Sequence, residues 1–317
     1  MTVTSDRFLT GLKRRITQPA TQQLLTDPDL LQMTDDTIRD KMVPLLLSVN
    51  QNFFVKTRLD VLVPYQKDYE IEQRAIGRGL RDLKLVGIAN EGYDGNVVDL
   101  AQIALEDEHM WPGYSQPVGF YFSGDTIMLV PAPVAAQYYL KQFFNMQPNQ
   151  LVPVASAAQV QSVDFTNGVI TCAAIPTTYL SGGVCDFVQG VSGCSILEWG
   201  KTNTNVTANT ISFDPDDIPP RLAAGDYVTL ERQSPVLNLP DESALLLESL
   251  VGHKVLYAIG DYDGAAAIQK DAELQEKNLL KILQPRIEGE PQKIINRNGL
   301  LRGRGFGNMR NRSGYYF

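Results

Sequence analysis

Histidines, cysteines and long apolar runs are scarce in this sequence. The 317 residues include only two histidines and three cysteines. Cys172, Cys185 and Cys194 show neither a disulfide framework nor zinc-ligand spacing, so we interpret them as small buried apolar side chains. No run approaches the roughly 20 apolar residues that span a bilayer, and the first residues lack the pattern of a secretory signal. We therefore expect no membrane association, and a protein of the cytoplasm or of a particle assembled there.

Acidic residues are absent from the end of the chain, residues 291–317. This segment holds six basic residues interleaved with glycines, and it ends in three aromatic residues. Because the whole chain carries a formal charge of −8, the preceding residues together carry −14. Such an acidic body argues against general binding of nucleic acid, since contacts with phosphates require a basic surface.

This basic and aromatic segment is typical of an arm that docks on another protein. Arginines form bidentate pairs with carboxylates, and aromatic side chains anchor protein interfaces. Two alternatives stay open: contact of the arginines and glycines with DNA, and a solvated chain end without a partner. We favour protein docking over both.

The first half of the chain combines one helix with several strands. From Thr34, apolar residues recur at helical spacing, with Asp35 and Asp36 in the first turn, where the helix dipole favours them. Pro44 should kink or split this helix. Beyond the helix, alternating residues predict short strands, including a hairpin over residues 119–130.

The second half contains a polar β-rich stretch and then two helices. Residues 151–236 are rich in Val, Thr, Ser, Asn and Gly, and frequent turn signals predict a small β-sandwich or barrel. Two amphipathic helices are predicted over residues 241–259 and 265–283. The short connection between them favours an antiparallel pair.

Together these patterns predict an α+β fold with an inserted all-β module. The early strands and the late helices are each too few to bury a core, so we expect them to pack together across the insertion. The predicted divisions are an N-terminal arm or short helix at 1–33, a main domain formed by 34–150 and 237–290, the β module at 151–236, and an extended tail at 291–317.

Recognisable catalytic and metal-binding motifs are missing. No serine or cysteine has a plausible neighbouring base, and there is no Gly-x-Ser-x-Gly elbow. His109 follows three acidic residues and is interpreted as part of a solvated loop; His253 is interpreted as a core or interface residue. The acidic residues at 214–217 lack the glycine and the distal glutamate of an EF-hand calcium loop. We therefore predict no catalytic residues, no cofactor and no metal site.

Four short segments form a recognisable series. They are an opening helix and strand at residues 34–64, a second extended piece at 69–71, a hairpin that ends in Pro-x-Pro at 120–133, and a Leu-Pro step before the helix pair at 239–242. This series resembles the head-to-tail adaptor (connector) proteins of tailed bacteriophages, especially the ring adaptors below the portal of short-tailed phages. The segments are short and hydrophobic, so they indicate a fold more than a chemistry.

The resemblance implies a structural virion protein of the phage neck, assembled in the host cytoplasm. It implies a homo-oligomeric ring, usually of twelve subunits, that joins the portal to downstream tail or nozzle proteins while DNA passes through without specific binding. The C-terminal segment of the family commonly extends along the portal. Here that role would fall on Arg302, Arg304, Arg310, Arg312, Tyr315, Tyr316 and Phe317.

The β module at 151–236 departs from the simpler adaptors, which lack it. Its contact stays open between a tail component, a fibre and the capsid. The alternative function is another structural protein of the phage tail or baseplate, whose β module binds a partner or a glycan. An enzyme with an unusual site is a third possibility, disfavoured by the missing motifs.

Overall fold

The computed structural model describes residues 3–16, 25–88, 94–110, 116–135, 138–190 and 196–283. Met1–Ile282 belong to one compact unit. The described residues combine five α-helices with several sheets of mainly antiparallel strands, which confirms the predicted α+β class. The predicted tail at 291–317 lies outside the described residues.

The α-helices and one π-helical segment lie towards the two ends of the sequence of the compact unit. They are α1 (Ser5–Arg15), α2 (Asp27–Thr37), a π-helical segment (Ile38–Met42), α3 (Val43–Val49), α4 (Ala244–Ile259) and α5 (Tyr262–Leu283).

Helix α1 lies within the stretch predicted as an N-terminal arm or short helix, and the helical alternative is the one observed. Phe8 and Leu12 are one helical turn apart and fully buried, and the helix packs against α4. Gly11 faces Glu248 of α4 so closely that a side chain at residue 11 would collide with that carboxylate. Helix α1 therefore contributes to the core of the unit.

Helix α2 begins at Asp27, so the predicted start at Thr34 is wrong. The Asp29 carboxylate accepts the backbone N–H of Thr26 at 2.9 Å, and Pro28 occupies the first turn, where its fixed φ suits a helix. Asp35, predicted to lie in the first turn, instead occupies the last turns of α2 and is buried. The proline and the cap were the signal of the true start.

The helix changes type just before Pro44. The N–H of Val43 donates to the carbonyl of Ile38, five residues earlier, and α3 starts with Pro44 in its first turn. The proline therefore coincides with a division of the helix, as expected from its missing N–H.

The strands of the described residues fall into three sheets and one short pair. They are β1 (Val55–Val61), β2 (Asp68–Glu70), β3 (Ala75–Ile88), β4 (Asp94–Asp99), β5 (Ala101–Gln102), β6 (Gly119–Ser123), β7 (Thr126–Val130), β8 (Tyr138–Met146), β9 (Gln150–Leu151), β10 (Ala158–Asp164), β11 (Val169–Cys172), β12 (Val184–Val188), β13 (Ile196–Thr202), β14 (Asn205–Val206), β15 (Thr210–Ser212), β16 (Tyr227–Leu230) and β17 (Gln233–Ser234).

Two four-stranded sheets share one core. The first sheet has the order β1-β8-β3-β4, and the second has the order β2-β7-β6-β5. Leu85 and Leu140 of the first sheet pack against Ile127 and Leu129 of the second. The predicted hairpin is observed as β6 and β7, and Gly124 takes a φ of 62° in the two-residue turn between them.

The module sheet takes all its strands from the β-rich stretch. Its order is β13-β12-β16-β10-β11-β15-β14, and it has an apolar core that includes Phe187, Phe213 and Val228. The two ends of the predicted insertion meet in a parallel pair, where β9 hydrogen-bonds β17. The boundaries 151–236 stay a prediction, because the module belongs to the same compact unit as the other sheets.

The last two helices run antiparallel. Ser249 in α4 lies 2.8 Å from the side-chain amide of Gln275 in α5, and Gly252 faces Ile268. Later residues of α4 thus oppose earlier residues of α5. Gly260 ends α4 in a left-handed conformation with a φ of 93°, which glycine adopts without a steric cost.

Candidate interaction sites

The structure does not describe the residues that the sequence assigned to portal binding. Arg302, Arg304, Arg310, Arg312, Tyr315, Tyr316 and Phe317 all lie outside the described residues. Their role as a docking arm stays a prediction. The described residues instead offer two candidate sites, an open groove beside β1 and an aromatic surface on the helix pair.

A buried ion pair supports one end of the groove. Asp186 of β12 has no solvent exposure, and its two carboxylate oxygens accept hydrogen bonds from the Arg74 guanidinium at 2.7 and 2.9 Å. The same carboxylate accepts from the Asn149 side chain at 2.9 Å and from the backbone N–H groups of Gly200 at 3.0 Å and Arg232 at 2.9 Å. A carboxylate without solvent exposure loses its hydration, so its burial requires hydrogen bonds and an opposite charge of this kind.

This ion pair connects the first sheet with the module sheet. Arg74 immediately precedes β3, whereas Asp186 lies in the middle of β12. The sequence analysis did not single out either residue. A signal was present, because Asp186 is one of few charged residues in the β-rich stretch and is flanked by Cys185 and Phe187, both buried.

The edge groove lies between β1 and β13 and has a volume of about 510 Å³. It is open to solvent along its length. At one end the Lys56 ammonium donates to the carbonyl of Ile196 at 2.7 Å and connects the two strands. The groove is lined by Thr57, Arg58, Leu59, Glu70, Glu72, Gln73, Arg74, Glu198, Trp199, Gly200, Lys201, Glu231 and Arg232.

Strand β1 presents a free edge to this groove, since it pairs only with β8 among the described strands. The N–H of Leu62 donates to the carbonyl of Tyr138 at 3.2 Å, and the N–H of Met146 donates to the carbonyl of Phe54 at 2.8 Å. Hydrogen-bonded pairs alternate along an antiparallel ladder. The backbone groups that point away from β8 are therefore those of Thr57, Leu59 and Val61.

The side chains at this edge are unusually apolar for an unpaired strand. Leu59 is 55 % exposed and Val61 is 56 % exposed. A long edge strand with exposed apolar residues is a template for pairing with another chain, and proteins usually protect such edges. The free edge is therefore suited to binding an extended segment.

Acidic and basic residues are equally numerous in the edge groove. The acidic ones are Glu70, Glu72, Glu198 and Glu231, and the basic ones are Arg58, Arg74, Lys201 and Arg232. A smaller recess beside the groove shares Glu70 and Arg58 and adds Asp60 and Asp68. Several of these charges pair with one another, because Arg58 contacts Asp60 and Glu72, and Glu231 contacts Arg74 and Arg232.

Burial changes the acidity of two groups near the edge groove. The pKa of Asp60 is raised by burial, although the neighbouring Arg58 guanidinium, 2.8 Å from it, acts in the opposite direction. The pKa of Lys56 is lowered by burial, and Glu198 opposes that shift. Both groups are held by hydrogen bonds, Lys56 to Ile196 and Asp60 to Arg58 and Gln142.

The second candidate site is an aromatic surface on the helix pair, formed by His253, Tyr257 and Tyr262. His253 stacks on Tyr257 with ring centres 6.3 Å apart. Tyr257 meets Tyr262 edge-on at 5.2 Å. Both tyrosines are more than 60 % exposed. His253 is half-buried in this cluster, which fits an interface residue more closely than a core residue.

The remaining polar candidates have structural roles. Cys172 and Cys185 are buried, as expected, and burial raises the pKa of each thiol to about 11; Cys194 lies outside the described residues. Asp214 accepts the N–H of Asp216 at 3.2 Å and caps a short 3-10 helix. Residue 109 lies in another 3-10 helix, Leu105–Met110.

Metal ligands and membrane spans were also sought. Within the described ranges, no group of three or more histidine, cysteine, aspartate or glutamate side chains could hold a metal ion. No helix in the described part of the chain is long and apolar enough to cross a membrane.

Comparisons with known proteins give no identification. No family model matches this chain, and a search of curated proteins finds no match either.

Proposed function

We propose that this chain is a non-enzymatic virion protein, a head-to-tail adaptor that forms a ring between the portal and the tail of a phage. The observation that carries this proposal is the aromatic surface of the helix pair. Tyr257 and Tyr262 contact each other and are both exposed where α4 ends and α5 begins. Clusters of exposed large apolar side chains mark contact sites on soluble proteins.

An interface of this kind is suited to a ring. When the aromatic surface of one copy contacts a different surface on the next copy, the contact is heterologous. If repeating that contact leads back to the first copy, the copies form a ring with cyclic symmetry. Rigid aromatic side chains supply much of the binding energy at protein interfaces. Repeated copies then multiply weak contacts with a portal through avidity.

The resemblance supports the same proposal. The hairpin β6–β7 precedes Pro131 and Pro133, and Leu239 and Pro240 precede α4, as in the adaptor pattern. In this proposal, the basic and aromatic tail docks on the portal, where an extended segment can contact a large area.

The negative net charge of the residues before 291 also fits a ring with DNA passing through its centre. The residues before 291 carry a formal charge of −14, and an acidic lumen would repel phosphates so that DNA slides without binding. A ring whose lumen is lined by lysine and arginine would contradict this part of the proposal.

Ring formation can be tested through the aromatic surface. We expect the double substitution Tyr257→Glu and Tyr262→Glu to remove the ring species in mass photometry, because losing an interface anchor costs about 2 kcal/mol or more. Leu180→Glu, at a residue 70 % exposed in the module, is the matched control and should leave the ring intact. If both variants assemble like the unmodified chain, this surface does not form the ring interface.

Portal docking can be tested through the tail. We expect deletion of residues 292–317 to leave thermal unfolding of the body almost unchanged, since the tail belongs to a separate unit from Met1–Ile282. Binding to the cognate portal ring, followed by mass photometry of the mixture, should fall sharply. Undiminished portal binding by the shortened chain would refute the docking role.

The alternative is another structural protein of the tail or baseplate, whose β module binds a partner or a glycan. The separate apolar core of the module sheet, together with exposed Leu180 and Phe165, is the observation that favours it. Location in the virion distinguishes the two. Immunogold labelling at the portal supports the adaptor, whereas peripheral labelling supports the alternative.

A further inference from the structure

The free edge of β1 is short and symmetric about one residue. Its outward backbone groups have no partner among the described residues at Thr57, Leu59 and Val61. On one side of them, the N–H of Val55 donates to the carbonyl of Asn52 at 3.2 Å. On the other side, the N–H of Val63 donates to the Tyr69 hydroxyl at 2.9 Å. The unpaired part of the edge is therefore centred on Leu59.

A strand that pairs with this edge has to offer the same short set of outward groups. A second copy of β1 does so, because a two-fold axis at Leu59 places Leu59 opposite Leu59 of the second copy and Thr57 opposite Val61. In an antiparallel ladder, residues that face each other in this way exchange two hydrogen bonds. Three facing pairs with two bonds each give six bonds, which use the free N–H and C=O groups on both edges.

The charged side chains between these residues are complementary in the same arrangement. Arg58 of one copy falls opposite Asp60 of the other, and the reverse pair forms across the axis. Residues at these positions do not exchange hydrogen bonds, so their Cα atoms are only about 4.5 Å apart, and opposite charges there are favourable. Within one copy Arg58 already contacts Asp60 at 2.8 Å. The paired strands would therefore hold a network of alternating charges.

The neighbouring registers lack this complementarity. If the axis lay at Thr57, Arg58 would fall opposite Lys56 of the second copy, and the like charges would repel each other. If the axis lay at Val61, Arg58 would face Pro64, which carries no charge. The free backbone groups and the charges thus select the same centre.

We propose that two copies of the chain pair antiparallel through β1, from Thr57 to Val61, with the two-fold axis at Leu59. Pairing also covers part of the Leu59 and Val61 side chains, which are 55 % and 56 % exposed in the single chain. Five residues a side form a smaller contact than the standard ~800 Å² per partner, so this dimer is weak and forms at micromolar concentrations. The inference goes beyond the proposed function, because it uses residues other than the aromatic surface.

Introduced cysteines test the register. Leu59→Cys should form a disulfide-linked dimer on oxidation, because facing residues have Cα atoms about 5.5 Å apart, within the range of a disulfide. Thr57→Cys alone should not, since the two substituted residues lie four positions apart, roughly 14 Å. A mixture of the Thr57→Cys and Val61→Cys chains should form the mixed dimer on a non-reducing gel. The unmodified chain gives the background, because Cys172 and Cys185 are buried.

Proline substitution tests the backbone hydrogen bonds. Proline is tolerated on an edge strand where its missing N–H faces outward, so Leu59→Pro should keep β1 in its sheet and remove the two bonds at the axis. The measurement uses a chain with Tyr257→Glu and Tyr262→Glu, which excludes association through the aromatic surface. In sedimentation equilibrium, we expect Leu59→Pro to raise the dissociation constant of the dimer by about tenfold or more.

The matched control for this substitution lies at the other edge of the same sheet. The N–H of Leu100 donates to the carbonyl of Leu83, so residue 97 faces the outer edge of β4. Val97→Pro should therefore leave the dimer unchanged. The inward amides of Arg58 and Asp60 should stay protected from hydrogen exchange in both proline variants, which verifies folding.

Neutralising one carboxylate tests the charge pairs. Asp60→Asn keeps an acceptor for the Gln142 side chain, which donates to Asp60 at 2.6 Å. Because the dimer loses both charge pairs, its dissociation constant should rise by about fivefold at low salt and by less at high salt. Asp68→Asn removes the same charge at an exposed residue outside β1 and should leave the constant unchanged.

Four results would each overturn the proposal. They are no disulfide-linked dimer of Leu59→Cys, equal cross-linking of Leu59→Cys and Thr57→Cys, equal weakening by Leu59→Pro and Val97→Pro, and equal weakening by Asp60→Asn and Asp68→Asn. The first result would leave the free edge to a strand of another protein. Ring formation and portal binding are not measured in these experiments, so the proposed function can fail separately.

Discussion

Replacing Asp35 by asparagine should stabilise the protein at alkaline pH and not at acid pH. Asp35 lies in α2 and is 6 % exposed. One carboxylate oxygen accepts the N–H of Leu151 in β9 at 2.9 Å. The other oxygen is buried without a hydrogen-bond partner among the described residues. Burial raises the pKa of Asp35 from 3.8 to about 7, and Arg39 compensates only in part.

The magnitude follows from the proton that the folded state retains. Between pH 4 and pH 7, folded Asp35 is protonated whereas the unfolded chain has released that proton, so stability falls as pH rises through this range. A pKa difference of about 3 corresponds to roughly 4 kcal/mol at 1.36 kcal/mol per pH unit. Asparagine keeps an acceptor for Leu151 and never ionises. The advantage of Asp35→Asn should therefore grow by roughly 4 kcal/mol between pH 4 and pH 8.

Urea unfolding followed by circular dichroism at pH 4, 6 and 8 measures this difference. Protein concentration is held constant, because assembly shifts apparent stability. Asp36→Asn is the matched control, since Asp36 is the next residue and is exposed; its effect should stay within about 0.5 kcal/mol at all three pH values. A difference between Asp35→Asn and the unmodified chain that does not change with pH would refute the reasoning.

Two further predictions concern stability. Arg74→Met should destabilise the protein by about 3–5 kcal/mol in urea unfolding, because Asp186 is left charged and buried; adding Asp186→Leu should recover part of that loss, and strictly additive effects would contradict a coupled pair. Leu12→Ala should cost about 2–5 kcal/mol, since Leu12 has no solvent exposure in the α1–α4 contact; a cost below 1 kcal/mol would show that α1 is not packed in solution.

The elements with strong periodicity could be predicted from the sequence. The hairpin β6–β7 carries its own turn residues, and the helix pair carries a long apolar stripe, so local physics determines both. The start of α2 was missed because the sequence analysis counted the apolar stripe only from Ile38, although Leu30 and Leu31 already belong to it and are buried. It also did not use the cap at Thr26 as a signal.

The binding surfaces could not be predicted in the same way. That β1 lies at the edge of its sheet depends on the order β1-β8-β3-β4, which no local pattern encodes. The pairing of Arg74 with Asp186 likewise joins residues more than a hundred positions apart. The predicted portal-binding residues still rest on sequence alone.

The buried pair of Arg74 and Asp186 has a mechanical consequence. Any swing of the module sheet away from the first sheet would separate these two buried ions and leave the Asp186 carboxylate without its opposite charge. At about 3 kcal/mol, the swung orientation would be populated by less than about one molecule in a hundred. The module sheet and the first sheet therefore keep a fixed orientation relative to each other. A force that acts on the module sheet is transmitted to the first sheet, which carries the free edge of β1.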